Sequence, residues 1–166
     1  MEKNRIALYG GAFDPVHRAH IAVARAAREQ VSLDRVIFLP AAQSPLKAHG
    51  PIVSDSDRLK MLEIALEGME GYEVDDSELQ RGGVSYTIET VSRFCQKCSE
   101  RELFWILGGD QFAQLDRWRA VKELVRMLRF LVLARPGYGI SPPEIPNLRW
   151  QKLDAPLMDM SSTQVR

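Results

Sequence analysis

At 166 residues, 45% hydrophobic and 27% charged, the chain is long enough for one domain with a real core, and its composition is that of an ordinary globular protein. Lys plus Arg equals Asp plus Glu at 22 each, so no global field recruits nucleic acid or an anionic membrane, and an anionic ligand must be held by a local cluster. The run Met1-Glu2-Lys3-Asn4-Arg5 carries no signal-type apolar stretch and no segment approaches transmembrane length, which makes the cytoplasm the expected compartment.

In chain order, the first element is a short apolar strand, residues 5–9, bounded by glycines. Residues 20–31 read as a helix, with Ile21, Ala24, Ala27 and Val31 at helical spacing. Between them lies Gly10-Gly11-Ala12-Phe13-Asp14-Pro15-Val16-His17-Arg18-Ala19-His20, a strand-to-helix turn where backbone N–H groups and a helix N-terminus can meet an anion. His17 and His20, three residues apart, can face one point there. A second strand, 34–40, stops at Pro40 and completes a βαβ unit, which implies a parallel sheet with a right-handed crossover. Residues 41–53 have no periodicity and read as a loop at the carboxyl end of a strand, where open α/β sheets keep their ligands; Lys47 can reach an anion from it.

Ser54 is placed to cap a helix over 55–66, with Leu59, Leu62, Ile64, Ala65 and Leu66 as its apolar face, and Gly68 ends it. A third strand is expected at 72–74, and a helix from Thr87 to about Ser99 with Val91, Phe94 and Cys98 on one stripe. Cys95 and Cys98 lie near the end of that run, with no second ligand pair for zinc and no thioredoxin-like placement, so both read as packing residues. An apolar strand, 102–107, ends at Gly108-Gly109-Asp110; residues 119–127 are helical; a fifth strand, 129–134, ends at Arg135. A last strand is expected at 148–153. Trp105 and Trp150 fall inside strands and read as packing residues. Alternating strands and helices indicate a Rossmann-like, doubly wound α/β fold with a mainly parallel sheet. The polar candidates gather at strand ends, which is the signature of one ligand cleft.

The string Gly-Gly-x-Phe-Asp-Pro-x-His-x-x-His resembles the signature of the nucleotidylyltransferase superfamily, although Ala19 stands where members usually have Gly. Further on come Pro40-x4-Pro45-x-Lys47, Asp57-Arg58-Leu59-x-Met61-Leu62, Glu78-Leu79-x-x-Gly82-Gly83-x-Ser85-Tyr86-Thr87-Ile88-Glu89-Thr90, Gly108-Gly109-Asp110 with Trp118, Ala134-Arg135-Pro136-Gly137 and Ser161-Ser162-Thr163-x-x-Arg166. In this order they resemble the bacterial nicotinate-mononucleotide adenylyltransferase family, nearly end to end.

The resemblance implies AMP transfer from ATP to nicotinate mononucleotide, with deamido-NAD and pyrophosphate as products. It implies that Gly10, Gly11, Phe13, His17, His20, Gly109, Asp110, Arg135, Ser162, Thr163 and Arg166 bind ATP. His17, His20, Lys47 and Arg166 are implied as catalytic donors, and Tyr86, Thr87, Trp118 and Lys47 as the acceptor site. Mg2+ would arrive with ATP, with no metal site of the protein's own. The residue types suit that reaction: a phosphate monoester is mostly dianionic at neutral pH, so catalysis needs alignment and charge stabilisation rather than a nucleophilic side chain.

Other readings stay open at this level. Asp110 can be the N-cap of the next helix, Thr87 a capping residue and Trp118 a helix anchor. The acceptor can be nicotinamide mononucleotide or another small phosphate, or the chain can be a non-catalytic nucleotide sensor. A homo-oligomer is open too. The family continues past the Ser-Ser-Thr-x-x-Arg motif with a helix and a C-terminal segment, so a single domain, 1–166, lacking that segment is the expectation.

Overall fold

The structure, a computed structural model, describes residues 4–42, 50–97, 101–134 and 139–155. Its framework is a six-stranded sheet in the order β3-β2-β1-β4-β5-β6, with each neighbouring pair parallel. The strands are β1 (Asn4–Gly11), β2 (Arg35–Pro40), β3 (Tyr72–Val74), β4 (Arg101–Gly108), β5 (Leu128–Leu133) and β6 (Trp150–Leu153). The helices are α1 (Arg18–Val31), α2 (Asp55–Leu66), α3 (Ser77–Arg81), α4 (Thr87–Lys97), α5 (Gly109–Ala113) and α6 (Val121–Met127), with a 3-10 turn at Leu115–Arg117. The expected doubly wound α/β fold is the one found, and its sheet is parallel throughout. Among the described residues no helix is long and apolar enough to cross a membrane.

Each central strand is apolar on both sides because both sheet faces are covered. Ile6 and Leu8 of β1, Ile37 and Leu39 of β2, Leu103 and Trp105 of β4, and Phe130 and Val132 of β5 join one buried cluster. Their alternate neighbours Ala7, Val36, Phe38, Phe104, Ile106 and Leu131 join the other. A continuous hydrophobic run thus splits into two cores by the period of two.

Several local expectations change. The two glycines belong to β1, where Gly10 pairs with Leu39 and Gly11 with Pro40. The turn itself is Ala12 to His17, and its positive φ, 45°, falls on Phe13 rather than on a glycine. Two short helices, α3 and α5, were not legible as periodic segments. The sixth helix begins at Val121, because Ala120 takes a left-handed φ of 54°. The last strand begins at Trp150, after Asn147 turns the chain at φ 69°. Trp150 is half-exposed and packs on Phe112 at 5.2 Å. Cys98 lies outside the described residues, while Val91 and Phe94 are buried as expected.

The second helix shows how a face is chosen. Ser54 caps it, its Oγ accepting from Asp57 N at 3.2 Å. Its buried stripe, however, is Arg58, Leu62 and Leu66 at i, i+4 and i+8, while Ala65 and Ile64 (59% exposed) point to solvent. The arginine turns the helix because its guanidinium has inward partners, described below. Leu62→Ala is therefore expected to destabilise the fold by about 2–5 kcal/mol. Ile64→Ala should stay within about 0.5 kcal/mol. Urea unfolding of the two variants measures the contrast, and similar losses would refute this helix orientation.

Candidate active site

Sequence order 3-2-1-4-5-6 reverses direction between β1 and β4, and an open α/β sheet forms its crevice at that point. A cleft of about 690 Å³ lies there, within the size range of small-molecule sites. Gly10, Gly11, Ala12 and Asp14 of β1 and its turn line one side, with Ala41, Gly50 and Pro51 beside them. The rest of the lining includes Ser85, Tyr86, Thr87, Trp105, Asp110, Trp118 and Arg119.

The turn into α1 is built by its histidines. The first N–H groups of a helix have no partner within it. His17 is the N-cap, and its Nδ1 accepts from Ala19 N at 3.2 Å. His20 reaches back so that its Nδ1 accepts from His17 N at 3.1 Å, completing a reciprocal capping box. Each Nδ1 is thus an acceptor, which puts the single proton of a neutral imidazole on Nε2. The rings stack with centroids 3.9 Å apart, and His20 also meets the Phe13 ring edge-on at 4.9 Å. Burial and the nearby His17 push His20 down to about 3, and burial lowers His17 as well. Near neutral pH the pair offers two Nε2–H donors rather than two cations. Ala19 is the second residue of α1, in the helix beside them.

Gly10 is required by a close approach: a Cβ there would lie 2.6 Å from Cζ2 of Trp105. Trp105 is buried, as a packing residue should be, yet its ring also walls the cleft. It meets Trp118 edge-on at 6.3 Å, which holds the second indole at the cleft side. Opposite stands the start of α4. Tyr86 N-caps it with its carbonyl, accepting from Glu89 N at 3.1 Å, and Thr87 is its first residue. The Arg119 guanidinium lies 3.6 Å over the Tyr86 ring and pairs with Glu89, which Arg81 shares. Asp110 is in the first turn of α5 rather than at its N-cap, which is Gly108.

Glu78 also lines the cleft, is buried at 4% exposure, and accepts from Thr90 Oγ1 at 2.9 Å and from Ser85. Burial raises its carboxyl, opposed by those two bonds and by Arg81. Ser85 Oγ in turn accepts from Ala42 N at 3.2 Å, tying the α4 side of the cleft to the end of β2.

Of the residues singled out in the sequence, Gly10, Gly11, Tyr86, Thr87, Asp110 and Trp118 meet in the one cleft. Gly109 stands beside Asp110 at the head of α5. His17 and His20 cap the turn that lines it. The Phe13 ring is buried against Tyr9, Phe38 and His20, so only its backbone is free to meet a nucleotide. Lys47, Arg135, Ser162, Thr163 and Arg166 lie outside the described residues. In the sequence Trp105 reads as packing alone, and nothing there marks a role for Arg119 or for the buried Arg58 and Glu78. The Gly10–Trp105 fit has no local signature, because it joins two strands 95 residues apart in number.

A parallel sheet with a histidine-capped turn after its first strand and a cleft at the switch point is the Rossmann-like arrangement in which α/β proteins hold their ligands. The cytidylyltransferase-like family model matches residues 8–166, and the chain belongs to that family. Within it the resemblances are more particular. The chain is 46% identical to a protein of Opitutus terrae named "Probable nicotinate-nucleotide adenylyltransferase", over 98% of this chain and 84% of that one. A protein of the same name from Rhodopirellula baltica is 37% identical, over 97% and 80%. Among solved structures, the Plasmodium falciparum nicotinic acid mononucleotide adenylyltransferase complexed with NaAD has the same fold at a TM-score of 0.74 and 16% identity, covering 97% of this chain and 82% of that one.

Because His20 titrates near 3 when folded and near 6.5 when not, the unfolded chain takes up its proton first as pH falls. The stability linked to His20 is full above about pH 6.5 and declines below it, by up to about 1.4 kcal/mol per pH unit. Nitrogen-15 NMR should show both imidazoles as Nε2–H tautomers at pH 7, with no His20 titration down to pH 5. An imidazolium there at pH 6 would contradict the capping geometry.

Proposed function

We propose that this protein transfers the adenylyl group of ATP to the phosphate of nicotinate mononucleotide, giving deamido-NAD and pyrophosphate. The observation that carries the reading is that the anion-binding turn and the Trp118–Thr87 wall face one cleft, so a nucleotide and a phosphate acceptor can meet there. An oxygen of the acceptor phosphate forms a bond to the α-phosphorus, the bond from that phosphorus to the bridging oxygen breaks, and its electron pair leaves with pyrophosphate. No side-chain nucleophile is needed. The protein's task is to align two anions and stabilise the charge that develops between them.

The Nε2–H groups of His17 and His20 serve as phosphate donors, and the positive end of α1 adds a favourable field. Lys47, Arg135, Ser162, Thr163 and Arg166 are proposed to complete the triphosphate site, as the motif resemblance implies. Gly109 and Asp110 take the adenosine ribose, with the exposed carboxylate accepting from its hydroxyls. Trp118 stacks on the pyridine. The first turn of α4, at Thr87, meets the nicotinate carboxylate, and the positive end of that helix favours the acid over the amide. The donors of the first turn are N–H groups, which suit phosphate oxygens, so Mg2+ enters as part of the nucleotide and is held by phosphate and water.

The decisive assay is pyrophosphate release with Mg-ATP and either nicotinate or nicotinamide mononucleotide. Turnover with the acid, and weaker turnover with the amide, is expected; inactivity with both while ATP still binds would favour a nucleotide sensor. His20→Ala should lower kcat about 10²- to 10³-fold, and ATP affinity far less. Equal losses in both would remove the transition-state role assigned to this imidazole.

A further inference from the structure

We infer that Arg58 is a positioning residue for the transfer: it sets the separation between the anion-binding turn and the loop after β2, without touching either substrate. The inference rests on the adenylyl-transfer reading of the cleft.

Arg58 is 0% exposed and spends its guanidinium on three separate segments. Nη1 donates to Ala12 O at 2.6 Å in the turn and to Ala41 O at 2.8 Å just past β2. Nε donates to Val53 O at 3.2 Å, at the far end of the same loop. Nη2 donates to Asp55 Oδ1 at 2.6 Å, its carboxylate partner at the helix start. A buried cation is tolerable only when paired and hydrogen-bonded, and each of these bonds is charge-assisted.

Asp14 closes the clamp from the opposite direction. The carboxylate of the turn accepts from Ile52 N at 2.9 Å and from Val53 N at 2.7 Å. Val53 is gripped on both sides of its α-carbon, its N–H by Asp14 and its carbonyl by Arg58. Ala41 N also donates to Gly11 O at 2.8 Å, so the two strand ends are joined by backbone before the clamp takes over.

Ala12, Asp14, Ala41, Gly50 and Pro51 all line the cleft, whereas Arg58 lies behind them. Ala42, next in the chain to Ala41, forms the junction to the acceptor side through Ser85 and Glu78. The clamp therefore fixes the turn against the loop residues beside it, and the Ala42–Ser85 bond carries that placement to the facing side of the cleft, where the second reacting phosphate must approach. In a reaction run by alignment, a displacement of about 1 Å costs on the order of 10²-fold in rate. Lysine cannot replace this arginine, because one ammonium cannot span three carbonyls and a carboxylate in a planar fork.

The test compares Arg58→Lys with Asp55→Asn in the full chain. It measures kcat, both KM values, affinity for a non-hydrolysable ATP analogue by calorimetry, and the thermal midpoint. Arg58→Lys is expected to fold and to lose about 10- to 100-fold in kcat, well beyond its loss of analogue affinity. Asp55→Asn leaves the bonds to Ala12, Ala41 and Val53 in place, so it should keep kcat within about twofold. A lower thermal midpoint with unchanged kcat and KM in the folded Arg58→Lys enzyme would overturn the inference, leaving Arg58 a purely structural residue. An equal kcat loss in Asp55→Asn would also overturn it, since charge pairing rather than spacing would then govern the rate. If Arg58→Lys does not fold, Asp14→Asn opens the same clamp from the turn and faces the same two outcomes. An inactive wild-type chain would instead count against the functional reading itself.

Discussion

The structure depends first on how the unpaired N–H groups at the start of α1 are satisfied. A helix that begins directly behind a buried strand presents its positive end at the sheet's carboxyl edge. Here histidines do the capping in place of the usual short polar residues, and this choice has two consequences. Accepting at Nδ1 locks each ring in orientation and tautomer, and burial keeps the pair neutral. The same two bonds that close the helix therefore leave two Nε2–H donors at the turn that lines the cleft.

Around that turn the cleft is shaped by long-range contacts. The missing side chain of Gly10 admits the Trp105 ring, and Trp105 in turn steadies Trp118. On the other flank a buried arginine and a buried aspartate cross-link the turn to the loop after β2. Glu78 and Ser85 carry the linkage to α4. For a reaction between two anions, rigid spacing of the walls matters as much as the donors they carry. The buried polar groups of this chain are concentrated where that spacing is set.

Much of this is legible in the sequence. The two cores follow from apolar strands of period two, Ser54 caps its helix as its position implies, and the motif string places a turn between the first strand and helix. Six of the residues singled out do line one cleft. The misreadings share one cause. Ile64 and Ala65 look like core on α2 until Arg58 is given inward carbonyls to bond, which rotates the buried stripe. Trp105 looks like packing until β1 is laid beside β4. Short α3 and α5 have too few residues for a period to register.

By itself the sequence determined what nearest-neighbour chemistry can encode: strand and helix periods, caps, breaks, the parallel α/β class, and the order of chemistry-bearing residues along the chain. Tertiary structure alone decided which tryptophan walls the cleft, which face of α2 turns inward and which buried charges bind which carbonyls. Those outcomes are set by partners dozens of residues away, and a side chain's burial and bonds belong to the pair of elements that meet there rather than to either segment.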